Sequence, residues 1–327
     1  MTKKTMIKTW QISLLALLAL ANAAVAQDYP SKPIRILVPT AAGGIADQFA
    51  RILSTHLTDN AKQTIVVENR TGGGGAIAAE GTAKAAPDGY TIMVGLHATN
   101  AILPLLNPKL GYDPTKDFTQ IIHIGSFPNL LVVNSKVPVK TVAELVDYAK
   151  KNVGKVNYAS QGNGSSGHMM GEQFRLVTGA DIVHVPYRGA APAVQDLVAG
   201  QVQMMFDTVT LQAPQLEAGN TRALAITATQ RIALLPNVPT MAEAGYADMQ
   251  GGAWFGVFAP AGTPKNVVDW LNAETKKAFA AADIRDKYQK QGAQFMLGTP
   301  EEFTAFVVAE TRRWGDVIRK ANIKIEQ

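Results

Sequence analysis

The chain of 327 residues contains no cysteine. Disulfides, thiolate zinc sites, iron–sulfur clusters and cysteine nucleophiles are therefore all excluded. Charged residues are also scarce, at 17% against about 25% in an average soluble domain. The hydrophobic share of 47% indicates a folded protein with a large core, and it excludes disorder. At roughly 100–200 residues per domain, the length predicts two domains.

Known catalytic signatures are missing as well. The sequence has no G-x-S-x-G elbow, S-x-x-K, H-E-x-x-H or P-loop lysine motif. None of the five histidines is spaced from another as metal ligands on one helix would be. The sequence therefore predicts no enzyme, no metal site and no cofactor. His97 and His168 remain of interest because each follows a predicted strand.

The N-terminus carries an export signal. Three lysines precede a short apolar run, residues 12–20, which is followed by Ala24-Val25-Ala26. This order predicts a signal peptide over residues 1–26, and the run is shorter than the about 20 residues of a membrane span. Cleavage would lower the formal net charge from +5 to +2, too little to indicate a nucleic-acid partner. A lipid anchor would need a cysteine, so we expect a soluble, unanchored protein in the periplasm.

The rest of the sequence alternates short apolar runs with amphipathic stretches. Such alternation predicts βαβ units and a doubly wound sheet of parallel strands. The predicted strands are 34–38, 65–67, 90–94, 130–133, 156–159, 182–185, 204–206, 222–227 and 254–258. The predicted helices are 46–57, 75–85, 142–151, 168–178, 192–199, 264–281 and 300–321.

No linker divides the chain, so two α/β lobes are expected with more than one crossing between them. We place the crossings near residues 126–129 and 250–253, where Gly, Pro, Ser or Asn are frequent. The predicted domains are therefore 27–127 with 251–327, and 128–250.

Two glycine-containing loops follow strands in the first part of the chain. Residues 38–47 lead from a strand into a helix, so peptide N–H groups near Gly43 and Gly44 could bind an anion. The alternative is a tight turn in which Asp47 complements the helix dipole. Residues 72–75 are four glycines, which indicate either a close approach of backbone or a flexible surface loop.

A third loop, residues 160–168, contains G-x-G-x-x-G at Gly162, Gly164 and Gly167. With Asp181 downstream it could bind a dinucleotide. However, it lies in the middle of the chain, and export takes the protein away from reduced nicotinamide. The same geometry suits a carboxylate, which we favour. A secreted hydrolase that uses Ser165, Ser166 and His168 is a further alternative.

Together these segments resemble the solute receptors of tripartite tricarboxylate transporters, the Bug-type family. The resemblance covers nearly all of the chain after the signal peptide. Besides the loops at 38–47 and 158–168, the matching stretches are Tyr29-Pro30-Ser31-Lys32-Pro33-Ile34, Glu68-Asn69-Arg70, Ala86-Pro87-Asp88-Gly89-Tyr90, His184-Val185-Pro186-Tyr187-Arg188-Gly189 and Phe206-Asp207. Family members often have proline and alanine where this chain has Thr40-Ala41-Ala42.

The resemblance implies a two-lobed receptor of the type II periplasmic-binding-protein class that closes over a small carboxylate. We expect this receptor to be a monomer. It implies membrane transporter subunits as partners, and it leaves open whether the ligand is aromatic or aliphatic. The ligand-binding positions that it implies are Thr40, Ala41, Gly43, Gly44 and Asp47 in the first loop, His97, Ala98 and Thr99 after the third strand, and Gln161, Asn163, Gly164, Ser165, Ser166, His168, Gly189, Ala190 and Asp207 in the opposing lobe.

Overall fold

A computed structural model of the chain describes residues 29–107 and 109–323. The predicted signal peptide, residues 1–26, lies outside these ranges. Among the helices of the described residues, none combines the length and the apolar character that a membrane crossing needs.

Strands and helices alternate through the first part of the chain, as the sequence predicts. The elements are β1 (Ile34–Val38), α1 (Ile45–Ala61), β2 (Ile65–Asn69), α2 (Ala76–Ala83), β3 (Thr91–Leu96), α3 (Leu103–Leu106) and β4 (Phe118–Asn134). A 3-10 turn at Gly73–Gly75 precedes α2, and a π-helical turn at Ala98–Ile102 precedes α3.

The alternation continues in the remainder of the chain. Its elements are α4 (Val142–Lys151), β5 (Asn157–Ser160), α5 (Ser166–Thr178), β6 (Val183–Pro186), α6 (Ala190–Ala199), β7 (Met204–Thr208), α7 (Val209–Glu217), β8 (Thr221–Ile226), β9 (Gly252–Pro260), α8 (Lys265–Ala280), α9 (Ala282–Gln289), β10 (Gln294–Phe295) and α10 (Pro300–Ala321). Sequence analysis missed α3, α7, α9 and β10, and it predicted α8 as one helix to residue 281.

The strands form a mixed sheet in the order β2-β1-β3-β9-β4-β7-β5-β6, with β10 and β8 also paired to β4. Strands β1, β2 and β3 are parallel to one another, and so are β5, β6 and β7. Strands β4 and β9 run antiparallel to their neighbours in the middle. The predicted α/β fold with two lobes is confirmed, but its sheet is not purely parallel.

Strand β4 belongs to both lobes. Residues 118–128 pair with β9, and residues 129–133 pair with β7. The prediction of a strand at 130–133 was therefore too short, because β4 also includes Gly125 and Pro128, which usually end strands. We call the part built on β1, β2, β3 and β9 the first lobe, and the part built on β5 to β8 the second lobe.

The C-terminal helix α10 packs on both lobes. Its Trp314 belongs to one apolar cluster with Leu37 of the first lobe and Phe206 of the second. At the end of the helix, the carbonyl oxygen of Ala321 accepts a hydrogen bond from Arg175 of α5 at 3.1 Å. The apolar face that the sequence predicts for this helix is therefore buried against the rest of the protein.

Candidate functional site

The predicted loops follow the carboxyl ends of β1, β3, β5, β6 and β7. In open α/β sheets, ligands bind outside the carboxyl ends of the strands. The structure also leaves several polar groups without partners at these places. We describe the loops in chain order, beginning with the one after β1.

Asp47 organises the loop between β1 and α1. One carboxylate oxygen accepts the peptide N–H of Gly43 at 2.9 Å and the Nε of Arg51 at 2.9 Å. The other carboxylate oxygen accepts a hydrogen bond from Nδ2 of Asn69 at 3.0 Å. The same amide nitrogen also donates to the carbonyl oxygen of Thr40 at 3.0 Å. Asp47 therefore holds the loop from inside.

Burial by itself would raise the pKa of Asp47. The hydrogen bonds from Arg51, Gly43 and Asn69 outweigh burial and hold the pKa below its usual value. The carboxylate is therefore ionised at neutral pH. Its negative charge is already matched by these donors, so Asp47 shapes the loop rather than offering a charge to an anion.

The N-terminus of α1 has no side-chain cap. Gly44 is its N-cap residue. Within residues 29–107 and 109–323, the peptide N–H groups of Ile45 and Ala46 have no hydrogen-bond partner. The residues from Ala41 to Gly44 are exposed, and an added Cβ on Gly43 would meet no atom within 4 Å. The loop in front of these free N–H groups and of the positive end of the helix dipole is therefore open, which suits an anion.

The four glycines after β2 join two of the loops. All four have positive φ, and an added Cβ on Gly75 would lie 2.7 Å from both Pro39 Cβ and Thr99 Cγ2. An added Cβ on Gly74 would lie 3.0 Å from Leu103. The close-approach interpretation is therefore correct, because only a chain without side chains can pack the β1 loop against the turn after β3.

The turn after β3 is buried. His97 is 5% exposed and neither of its ring nitrogens has a partner, while burial lowers its pKa to about 4. The imidazole is therefore neutral at pH 7. The hydroxyl of Thr99 donates to Oδ1 of Asn100 at 2.7 Å, which leaves Nδ2 of Asn100 without a partner. Asn100 is fully buried, and sequence analysis missed it.

The loop after β5 uses several of its own groups internally. Ser165 caps α5, since its hydroxyl accepts the peptide N–H of His168 at 3.3 Å. The peptide N–H of Gly164 donates to Nδ1 of His168 at 3.0 Å. In the described chain, the peptide N–H groups of Ser166 and Gly167 have no partner. The free donors of this loop are therefore at the start of α5, and Gly164 supplies none.

His168 stacks on His184 with ring centroids 4.0 Å apart and 11° between planes. Burial lowers the pKa of His168 to about 4 and that of His184 to about 3. Ser166 accepts a hydrogen bond from Asn129 instead of contacting an imidazole base, at 3.3 Å. Ser165 bonds only the backbone of His168, so neither predicted serine pairs with the His168 ring as a nucleophile would need. A different serine, Ser160, has its hydroxyl 2.7 Å from Nε2 of His184.

The third glycine of the G-x-G-x-x-G pattern serves packing. An added Cβ on Gly167 would lie 2.5 Å from the carbonyl oxygen of Phe206. The motif therefore lets α5 approach β7 closely, whatever the loop binds.

Asp207 is fully buried at the end of β7. One carboxylate oxygen accepts hydrogen bonds from Nε2 of Gln161 at 2.8 Å and from the peptide N–H of Thr208 at 2.7 Å. The other carboxylate oxygen accepts a hydrogen bond from Nε2 of Gln212 at 2.9 Å. Burial raises the pKa of Asp207 to about 6, against the opposing effect of these hydrogen bonds. Asp207 therefore orients the side-chain amides of Gln161 and Gln212.

The start of α6 resembles the start of α1. Gly189 flanks the helix with φ +113, and no side chain caps it. An added Cβ on Gly189 would meet no atom within 4 Å. Pro192, in the first turn, has no N–H to satisfy. Ala190 therefore begins another helix whose N-terminus, like that of α1, has no side-chain cap.

The structure brings the two lobes together at the loop after β5. An added Cβ on Gly164 would lie 3.3 Å from Ile102 and 3.6 Å from both Leu103 and Leu106. Gly164 of the β5 loop therefore faces the turn after β3 and α3. Asn163 is exposed beside them.

A pocket of about 670 Å³ lies elsewhere, between α5, β6 and the end of α10. His168 is the one predicted binding residue among its lining residues. In the described part of the chain, no group of three or more His, Asp or Glu side chains is placed to bind a metal ion.

Known proteins share the sequence pattern and the fold of this chain. The profile of the family described as "Tripartite tricarboxylate transporter family receptor" matches residues 49–323. BugT of Bordetella pertussis is 35% identical over 95% of this chain and 96% of its own.

Two solved structures are similar over almost their whole length. "R. palustris Rpa4515 with adipate" is 37% identical with a TM-score of 0.83, covering 91% of this chain and 99% of its own. MatC from Rhodopseudomonas palustris "with bound malate" is 36% identical with a TM-score of 0.79, covering 89% and 100%. The predicted resemblance is confirmed: the chain belongs to the tripartite tricarboxylate transporter receptor family, whose members are solute-binding receptors.

Proposed function

We propose that this protein captures a small carboxylate between its two lobes in the periplasm and delivers it to the membrane subunits of a tripartite tricarboxylate transporter. The observation that carries this proposal is the pair of helix starts, at α1 and α5, whose first peptide N–H groups have no partner in the described chain. The adipate and malate bound to the two similar structures support a carboxylate as the ligand.

The charge of the ligand would be met by main-chain groups. Among the described residues of the loops after β1, β3, β5, β6 and β7, the one cationic side chain is Arg188, which is exposed. A helix N-terminus contributes about 0.3–1 kcal/mol to an anion, and up to ~2 kcal/mol when partly buried. Direct hydrogen bonds to a charged group add about 1.5–3 kcal/mol each. Several such bonds reach the about 8 kcal/mol of a micromolar complex.

We also propose the predicted domain bounds, 27–127 with 251–327 and 128–250, as the units that move. Their support is the change of partner of β4 between Pro128 and Asn129, opposite the start of β9. The ligand-binding positions given by the family resemblance, Thr40 to Asp207, belong to this proposal. The proposal also includes the cleavage of residues 1–26, the absence of an anchor and the monomeric state.

A thermal-shift screen tests the function. We expect mono- or dicarboxylates to raise the unfolding midpoint by several degrees, since a ligand at 100 times its Kd adds about 2.7 kcal/mol and each kcal/mol adds roughly 2–4 °C. The methyl esters of the same acids are the matched control and should give no shift. A shift with nicotinamide nucleotides and none with any carboxylate would contradict the proposal.

A further inference from the structure

Six buried side-chain atoms in the described chain lack a hydrogen-bond partner. They are Thr40 Oγ1, His97 Nδ1 and Nε2, Asn100 Nδ2, Asn129 Oδ1 and Gln161 Oε1. Unpaired polar atoms are rare in folded interiors because each costs free energy. All six belong to residues beside the loops described above. The two in the second lobe, on Asn129 and Gln161, are both amide oxygens, which can only accept hydrogen bonds.

Asp207 fixes the orientation of the Gln161 amide. Because a carboxylate only accepts hydrogen bonds, the nitrogen of Gln161 must face Asp207, and it does so at 2.8 Å. The oxygen is then left on the other side of the amide. There it lies beside Gly167, where an added Cβ would be 2.6 Å away. Asp207 is thus a positioning residue that makes Gln161 present an acceptor.

Asn129 lies on the other side of the same helix start. Its side chain is fully buried where β4 passes from one lobe to the other, and its Nδ2 donates to the hydroxyl of Ser166 at 3.3 Å. The peptide N–H of Asn129 donates a hydrogen bond to the hydroxyl of Thr227 at 2.7 Å. The side-chain oxygen remains without a partner. Two buried acceptors therefore flank the N-terminus of α5.

We propose that the second lobe recognises a hydrogen-bond donor on the ligand, so that the ligand is a carboxylate that also carries a hydroxyl or amino group. This inference rests on the proposed function. A methylene would leave the oxygens of Gln161 and Asn129 unpaired, and a second carboxylate oxygen there would be repelled by them. A hydroxyl or ammonium group donates to them. The first lobe offers the opposite chemistry, because Asn100 Nδ2 is an unpaired donor.

Titration calorimetry on three carbon skeletons tests this inference. The sets are succinate, malate and aspartate; adipate, 2-hydroxyadipate and 2-aminoadipate; and phenylacetate, mandelate and phenylglycine. In whichever set binds, we expect the hydroxy or amino member to bind at least about tenfold tighter than the unsubstituted acid, the usual effect of satisfying a buried acceptor. The two substituted members distinguish a hydroxyl from an amino group as the donor.

A variant of Gln161 identifies the acceptor. Gln161→Met keeps the length of the side chain and removes its oxygen, so the preference for the substituted acid should fall to about threefold or less. Gln195→Met is the matched control, since Gln195 is exposed on α6 of the same lobe, and it should keep the wild-type preference. Circular dichroism verifies that both variants are folded.

The outcomes separate the two proposals. If the unsubstituted acids bind the wild type as tightly as the substituted ones, the inference is wrong although the proposed function stands, and this result does not depend on any variant. If a folded Gln161→Met keeps the full preference, the inference is also overturned. If no acid of any set binds, the proposed function itself fails.

Discussion

Gly164→Val should weaken carboxylate binding by about 5- to 150-fold and leave the fold intact, because overpacking where the lobes meet typically costs about 1–3 kcal/mol. Gly164 has φ +77, and the atoms nearest to an added Cβ are Ile102, Leu103 and Leu106, which belong to the first lobe. The larger side chain would therefore hold the lobes apart and would hinder closure over the ligand. Titration calorimetry with the acid that stabilises the protein most measures the loss.

Gly154→Val is the matched control for this variant. Gly154 also has positive φ, +70, but it lies on an exposed loop of the same lobe with no atom within 4 Å of an added Cβ. It carries similar backbone strain and should bind the ligand with wild-type affinity. Equal affinities of the two variants would mean that Gly164 does not lie where the lobes meet.

The second large effect is a loss of stability in mild acid. Burial lowers the pKa of His97, His123 and His168 to about 4 and that of His184 to about 3, from an ordinary 6.5. Below pH 6.5 the unfolded chain takes up protons on these residues and the folded protein does not. The free energy of unfolding must therefore fall as the pH falls from 6.5 towards 4.

Asp207 acts in the opposite direction. Its pKa is raised from 3.8 to about 6, so between these values the folded protein binds one proton that the unfolded chain does not. Four histidines against one aspartate leave a net uptake of about three protons on unfolding. At about 1.4 kcal/mol per proton and pH unit, stability should fall by roughly 4 kcal/mol per pH unit. Because domains are stable by about 5–15 kcal/mol, the loss of about 6 kcal/mol between pH 6.5 and pH 5 removes a large part of the stability.

Denaturant titrations between pH 7.5 and 4.5 measure this slope. His123 is a suitable residue to change because it lies away from the ligand loops, against Phe303 and Phe306 at 5.4 and 4.3 Å between ring centroids. His123→Phe should reduce the slope by about 1.4 kcal/mol per pH unit. A stability that does not change over this range, or a variant with the wild-type slope, would refute this expectation.

Some elements could be predicted to the residue. Strand β1 and helices α4 and α10 have the predicted bounds. Each is a strong periodic or apolar segment, and Thr141 and Thr299 cap the two helices by accepting the peptide N–H of the third helical residue. Capping residues are local signals, so a sequence can indicate where such helices begin.

Other elements could not be found because their local signals point elsewhere. Helix α7 contains Pro214 in its interior, where proline usually ends a helix. Helix α3 has only four residues, too few to show a helical period. The break between α8 and α9 falls at Ala281, within a run of alanines that predicts continuous helix. Packing against the rest of the protein determines where these helices begin and end, and a local sequence pattern carries no information about that packing.

Parts of the candidate site could likewise be predicted from the sequence, and other parts could not. Glycine followed by a helix start is a local pattern, so the loops around Gly43, Gly164 and Gly189 could be predicted. Internal hydrogen bonds such as Gly164 to His168 depend on side-chain geometry, and they reassign a predicted donor. The buried amides of Asn100 and Asn129 occur in segments with no motif, so only the structure reveals them.

The central claim is that main-chain N–H groups at the start of α1 bind the carboxylate and that those at the start of α5 contact the far end of the ligand. A crystal structure of the protein with the acid that stabilises it most tests this directly. We expect carboxylate oxygens within about 3 Å of the free N–H groups of Ile45 and Ala46, or of a water held by them, with the far end of the ligand beside Ser166 and Gly167. A ligand bound in the pocket between α5, β6 and α10, with no ligand atom at those groups, would contradict it.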